Sequence, residues 1–368
     1  MFDRRLAQNF DWVLFGLTFI VAGIGLVTLF SAVNAGTQTG ESALFNRQLL
    51  WYGIGLGVMV VSFFFDYKYL DKVAPAIYIV TIVLLVMVFF FGRVGGGARR
   101  WLFIGPFSIQ PSEIAKLTVI IVLARYYSKV PTTNGYNLRE LGKPMLLAAI
   151  PFVLILMQPD LGTAIHLGLI AAAVTVFAKI ERRTFIALCT TCALTVLAFW
   201  FFLLKAYQKQ RVLTFLDPDR DPFGAGWQII QAKIAIGSGM LSGKGLLKGT
   251  QNALSFLSEQ HTDFIFCVLA EEWGLIGAAA VLMVFFIIII WGLRVAHGCR
   301  DVFGMMIAVG ITSMLCWQVV INIGMVMGLL PVVGVPLPFI SYGGSSIVMM
   351  MICLGLLINI RMRRFLFE

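Results

Sequence analysis

Charge is what this sequence has least of. Asp, Glu, Lys and Arg make up 12% of its 368 residues, against roughly a quarter in a soluble domain. Hydrophobic residues make up 60%, too much apolar surface for a water-soluble fold of this length to hide. Apolar runs near the roughly 20 residues of a membrane-crossing helix recur along the whole chain. The expected class is an all-α integral membrane protein, with residues 1–368 forming one polytopic domain.

Other features are missing too. No internal repeat is visible, which counts against the inverted-repeat transporter architectures. Gly243-Lys244 stands in a glycine-rich stretch, yet it does not complete a nucleotide-binding loop. Ser238 occupies the place of the first glycine, and Gly245 stands where Ser or Thr is required. Cys189 and Cys192 have redox-motif spacing but fall within an apolar span, where they read as small helix residues one turn apart. The net charge of +10 sits in short clusters between spans, so no nucleic-acid partner is expected.

The apolar segments are 12–33, 49–65, 73–92, 111–127, 143–157, 162–178, 184–204, 264–293, 303–329 and 341–360, about ten spans. The first is longer than the roughly 7–15 residues of a signal core and is read as a retained helix. Lys and Arg cluster at both termini and in 66–72, 125–143, 179–183 and 294–300. The short loops on the other side hold only Arg47, Arg93, Arg99 and Arg100. This bias places both termini in the cytoplasm. It also leaves the three arginines at 93–100 out of place as topology signals, hence candidates for binding an anion outside.

Segment 205–263 is one large extracytoplasmic loop. Trp227, Ile230 and Ile234 recur at helical spacing beside Lys233, predicting a short interfacial helix. Asp217-Pro218 and Asp221-Pro222 predict turns before it, and five glycines between 237 and 249 a pliant backbone after it. Loops this long are usually functional.

Ionisable groups in or beside spans are expensive and mark function by default. Glu113 and Lys116 share one face at the start of the fourth span and can pair, although Glu113 also suits a first helical turn behind Pro111. Asp160, in the turn Gln158-Pro159-Asp160-Leu161-Gly162-Thr163, serves equally as a helix N-cap. His166 reads as a packing residue. Asp263 enters the eighth span at the end of the long loop, where partial desolvation raises a carboxylate toward a general base's range; an N-cap role fits it locally as well. Glu271 lies too deep, and Glu272 on the wrong face, to pair with it. The uncharged run from Leu330 to Ser346 holds Pro331, Pro336 and Pro338. It must break the helix, with Ser341 a candidate cap, and form a pocket wall. A transporter and a membrane-embedded enzyme both remain open.

The stretches Arg100-Trp101-Leu102, Gln110 to Lys116, Gln158 to Thr163, Asp217 to Gln228, Lys233 to Gly239, His261 to Phe266 with Ala270-Glu271-Glu272, and Pro331 to Ser346, taken in order, resemble the SEDS family (shape, elongation, division and sporulation) of bacterial cell-wall proteins. Tyr207 to Val212, Val333 to Pro338 and the short N-terminal tail are more similar to its elongation member than to its division member.

The resemblance implies a peptidoglycan glycosyltransferase of the inner membrane that polymerises lipid II during cell elongation and rod-shape maintenance. It implies partnership with a class B penicillin-binding protein and other elongation-machinery proteins. It implies that Asp263 is the general base toward the acceptor hydroxyl, and that Glu113, Lys116 and Asp160 line the substrate cavity. Arg99, Arg100 or Arg211 would face the anionic leaving group. A divalent cation (Mg or Mn) beside the pyrophosphate is compatible with this chemistry, but no ligand cluster specifies one. The rival reading is a flippase for the same lipid-linked precursor, and a third is a catalytically idle scaffold.

Overall fold

The computed structural model describes residues 9–35, 42–95, 98–105, 107–130, 132, 135–203, 209, 213–215, 217, 225–254, 256–257 and 259–364. In chain order the elements are α1 (Trp12–Asn34), α2 (Ser42–Phe64), α3 (Lys68–Phe91), β1 (Arg93–Gly95), β2 (Ala98–Ile104), β3 (Phe107–Ile109), α4 (Pro111–Lys129), α5 (Leu138–Met157), α6 (Leu161–Phe177) and α7 (Arg182–Ala198, prolonged by a π turn). They continue as α8 (Ala225–Ser238), α9 (Thr250–Ala253), α10 (Ile265–His297), α11 (Val302–Val326) and α12 (Gly344–Arg363).

Every span expected from the sequence is a helix. Eight are long and apolar enough to cross a membrane on those grounds alone. The other two are α6, at 17 residues, and α4, which carries Glu113, Lys116, Arg125 and Lys129. Helix α4 tolerates those charges because it is enclosed, packing against α3, α5, α6, α11 and α12. Helix α11 lies at the centre, in contact with α4, α6 and α10, while α2 and α12 form the most extensive single pairing. Large apolar side chains such as Phe90 and Phe91 on α3 and Phe286 on α10 remain exposed, as lipid-facing residues do.

Local chemistry sets the helix starts. Asp11, Asp160 and Asp301 each accept a backbone N–H as N-cap, and Asn137 with Glu140 forms a reciprocal capping box. Ser341 does not cap the last helix. Gly343 does, without a side-chain bond, because the Ser341 hydroxyl is committed elsewhere.

Three features depart from or add to the sequence reading. First, residues 93–109 form a three-stranded antiparallel sheet in the order β1-β2-β3; Arg93 pairs with Trp101 across a bulge, and Leu102 with Ile109. Second, α8 is helical as expected, and the structure adds which of its faces meets protein. Ile229, Ala232 and Ala235 are buried while Ile234 is exposed, since small side chains let α8 approach α10 closely.

Third, α10 is not one continuous helix. Gly274, at φ 68° and ψ −165°, breaks it. The glycine-rich segment fills the break: Lys244 and Gly245 donate to the carbonyls of Glu271 and Glu272, while Leu275 and Ile276 donate to Met240 and Leu241. The backbone groups freed by the break thus find partners 27 to 35 residues upstream, as burial requires.

The proline-rich segment 331–343 is clasped between helices. Gly25 of α1 lies against Phe339 and Ile340, and Gly162 of α6 against the carbonyl of Val333, so close that neither site has room for a Cβ. Gly162→Ala is therefore expected to destabilise the fold by about 1–3 kcal/mol, read by chemical denaturation in detergent.

Candidate active site

One end of the bundle holds a cavity of about 630 Å³. By the charge bias this is the extracytoplasmic end. The cavity is walled by Arg100 and Trp101 from β2, Glu113 from α4, Asp160 and Thr163 around the start of α6, Gln228 and Ile229 from α8, Glu259, Thr262, Asp263 and Phe264, and the proline-rich segment. Four of the seven residues that the resemblance assigns to the site meet here: Arg100, Glu113, Asp160 and Asp263; Arg99, exposed on the same strand as Arg100, does not line the cavity. Lys116 sits one turn below, bound to Glu113. Arg211 and the turns Asp217-Pro218 and Asp221-Pro222 lie wholly or partly outside the described residues.

Asp263 stands at the mouth of α10, and its main chain is fastened on two sides. The Asn322 side-chain amide donates to the Asp263 carbonyl (3.0 Å) and to the Val335 carbonyl (2.7 Å). The Ser341 hydroxyl donates to the Thr262 carbonyl (2.6 Å) and accepts from the Leu337 amide (2.7 Å). The backbone of Tyr342 donates to the His261 carbonyl (2.9 Å). The turn that carries Asp263 and the proline-rich wall are thereby one unit. Gly334 has φ 70°, and a Cβ there would stand 3.2 Å from Asp263 Oδ2, so its missing side chain leaves the carboxylate open to the cavity.

Burial pushes the Asp263 carboxyl up to about 6; Glu259 adds to the rise, Arg100 opposes it, and Asp160 adds again. Sequence reasoning passed over Glu259. It has φ 66°, and its carboxylate accepts from the Thr262 hydroxyl at 3.0 Å; the only sequence signal was its place four residues before Asp263.

Arg100 is held by the Pro159 carbonyl (2.6 Å) and by Asp160 (3.7 Å). Asp160 meanwhile accepts from the Thr163 amide and hydroxyl and from Gln110. Cap and cavity roles therefore coexist in one carboxylate. Below, Lys116 donates to Glu113 at 2.8 Å with both side chains nearly inaccessible. His166 is buried as a packing residue, with Nε2 2.9 Å from the Met314 carbonyl; Nδ1 has no partner among the described residues. Among those residues no three His, Cys, Asp or Glu side chains converge as metal ligands.

Sequence reasoning also passed over Asn322. Asn322→Leu keeps the bulk but strands two buried carbonyls, and is expected to cost about 1–3 kcal/mol of stability. Denaturation of the purified protein checks this.

The family profile described as "Cell cycle protein", spanning FtsW, RodA and SpoVE, matches residues 11–365. The peptidoglycan glycosyltransferase MrdB of Escherichia coli K12 is 42% identical over 337 residues, covering 91% of this chain and 90% of that protein. A solved chain from work on structural coordination of polymerization and crosslinking by a peptidoglycan synthase complex superposes with a TM-score of 0.82 at 31% identity, covering 97% of this chain and 98% of that one. The rod shape determining protein RodA of Thermus thermophilus superposes with a TM-score of 0.71 at 27% identity over the same shares.

Proposed function

This chain belongs to the FtsW/RodA/SpoVE family of membrane proteins, and from that membership we propose that it is the peptidoglycan glycosyltransferase of cell elongation. It polymerises lipid II, a disaccharide-pentapeptide on undecaprenyl pyrophosphate, into β-1,4 glycan at the outer face of the bacterial cytoplasmic membrane. A class B penicillin-binding protein supplies crosslinking beside it, with the other elongation-machinery proteins. The observation that carries this reading is a carboxylate with a raised pKa, Asp263, opening into a polar cavity that also holds a fixed guanidinium, Arg100.

The chemistry follows from that pair. Asp263 takes the proton of the acceptor's GlcNAc 4-hydroxyl as the oxygen attacks the donor's anomeric carbon. The bond from that carbon to the pyrophosphate oxygen breaks, and undecaprenyl pyrophosphate leaves with the electron pair. A single displacement inverts the α linkage of the lipid to β in the glycan. Arg100, already oriented by Pro159 and Asp160, faces the negative charge growing on the leaving group without having to reorganise. Glu113 and Asp160 offer acceptors for sugar hydroxyls, and Lys116 holds Glu113 in place. A flippase would place its coupling group near the bilayer midplane; here the reactive carboxylate lies at the cavity rim.

Two variants tune the base without removing it. Glu259→Gln deletes a neighbouring negative charge and moves the acid limb of the pH–rate profile below that of the wild type. Arg100→Gln moves it above. Unchanged limbs in both would separate these charges from the base.

Incubating the purified chain with labelled lipid II, alone and with its class B partner, and resolving the products by size tests the function itself. Long glycan is expected. Transfer of lipid II across liposome membranes with no polymer would put the flippase in its place.

A further inference from the structure

A second polar site lies away from the cavity, where the last turn of α1, the segment 244–254 with Gln260, and the first turns of α10 meet. Glu271 and Glu272 are both buried there, at 0% and 2% exposure. The donors crowd onto one oxygen: Glu271 Oε1 accepts from Lys244 Nζ (2.7 Å), the Thr250 amide (2.8 Å), the Thr250 hydroxyl (3.1 Å) and the Gln251 amide (3.1 Å). Its Oε2 is buried without a donor. Glu272 Oε1 accepts from the Ser31 hydroxyl, the Leu247 and Gly249 amides also reach this carboxylate, and its Oε2 is buried without a donor among the described residues. Lys244 offsets one carboxylate; among the described residues no ion pair offsets the other.

The neighbouring amides repeat the pattern. Asn252 donates Nδ2 to the Ser31 carbonyl (3.1 Å), and Gln260 donates Nε2 to the Ala32 carbonyl (3.4 Å). Those bonds fix which end of each amide is oxygen. Asn252 Oδ1 and Gln260 Oε1 are then left buried with no donor, as is Gln251 Oε1. Among the described residues two carboxylate and three amide oxygens thus lack donors, and Glu272, Asn252 and Gln260 are tied to Ser31 and Ala32. Both carboxylates press against Gly249: a Cβ there would stand 2.9 Å from Glu271 Oε2 and 3.4 Å from Glu272 Oε1.

A buried set of acceptors with excess negative charge requires a cation or a proton. We propose that this pocket binds a hard cation of the calcium class. Ca²⁺ takes about 6–8 oxygens and accepts carboxylates mixed with amide carbonyls in irregular geometry, with water completing the shell. Mg²⁺ demands a compact octahedron and holds its own waters, so it fits this ligand set less well. The ion would tie α9 and the turn containing Gln260 to α1 and α10, and so brace the chain three residues before Asp263. The site stands independently of the reaction in the cavity.

The test uses the full-length protein in detergent, stripped with chelator and then titrated with CaCl₂, MgCl₂ or NaCl. Equilibrium binding of radiolabelled Ca²⁺ and the melting temperature are followed together. One Ca²⁺ per chain is expected, with a saturable rise of several degrees in Tm and a weaker response to Mg²⁺. Gly249→Ala forces a methyl against both carboxylates while keeping every ligand, and Glu272→Gln removes the charge that no ion pair offsets. Each should lose Ca²⁺ binding by at least tenfold while still melting cooperatively. No saturable binding in the wild type would mean that buried waters or a proton shared by the carboxylates satisfy the pocket, and would overturn the proposal. Equal binding in both variants would overturn it too.

Discussion

Asp263→Asn is expected to lower glycan polymerisation by about 10²- to 10⁴-fold, the usual contribution of a positioned general base, and to leave the protein folded. The fold prediction has a sign. Burial and Glu259 raise the Asp263 carboxyl to about 6, so the folded state binds this proton more tightly than the unfolded chain does. The ionised form is therefore penalised, and stability falls as pH rises from the unfolded value of 3.8 through about 6. Replacing the carboxylate by a neutral amide removes that penalty. At neutral pH the variant should melt at or above the wild-type temperature, and it should still bind lipid II. An inactive variant that also melts early would assign Asp263 a structural role instead.

The Lys116–Glu113 pair should show the opposite balance. Both side chains are buried and 2.8 Å apart, so removing either leaves a bare charge inside the bundle. Lys116→Met alone is expected to destabilise by about 3–5 kcal/mol, whereas a well-packed neutral pair is often tolerated. The double variant Lys116→Met/Glu113→Gln should recover most of that loss. Polymerisation should nevertheless stay down about tenfold, the equivalent of one lost hydrogen bond to a charged group, because Glu113 faces the cavity. Full recovery of both stability and rate would make the pair purely architectural. Denaturation and polymerisation measured on both variants decide between these.

Why some of this was legible in the sequence and some was not comes down to range. Spans announce themselves through composition, and every expected one is a helix. Asp160 as an N-cap needs only Thr163, three residues away, and Lys116 meets Glu113 within one turn. The groups that hold Asp263 do not work locally. Asn322 reaches it across 59 residues and Ser341 reaches Thr262 across 79, and no spacing rule connects such positions. The break at Gly274 was hidden for the same reason, since the loop that satisfies it lies on the far side of Asp263 in sequence. Trp227, Ile230 and Ile234 suggested a helix correctly, but their period could not say whether large or small residues face protein. In lipid the small ones do. Lys244 was weighed only as a nucleotide-loop lysine, and its actual partner, Glu271, comes from another element.

The most direct test of Asp263 as the base is the pH dependence of kcat/KM for glycan polymerisation, measured between pH 4.5 and 8 in buffers of constant ionic strength. Activity requires the ionised carboxylate, so the rate should climb tenfold per unit below an acid limb near pH 6 and level off above it. Glu259→Gln should shift that limb downward, and the residual rate of Asp263→Asn should show no limb there. A wild-type profile flat down to pH 4.5, or the same limb persisting in Asp263→Asn, would contradict the account.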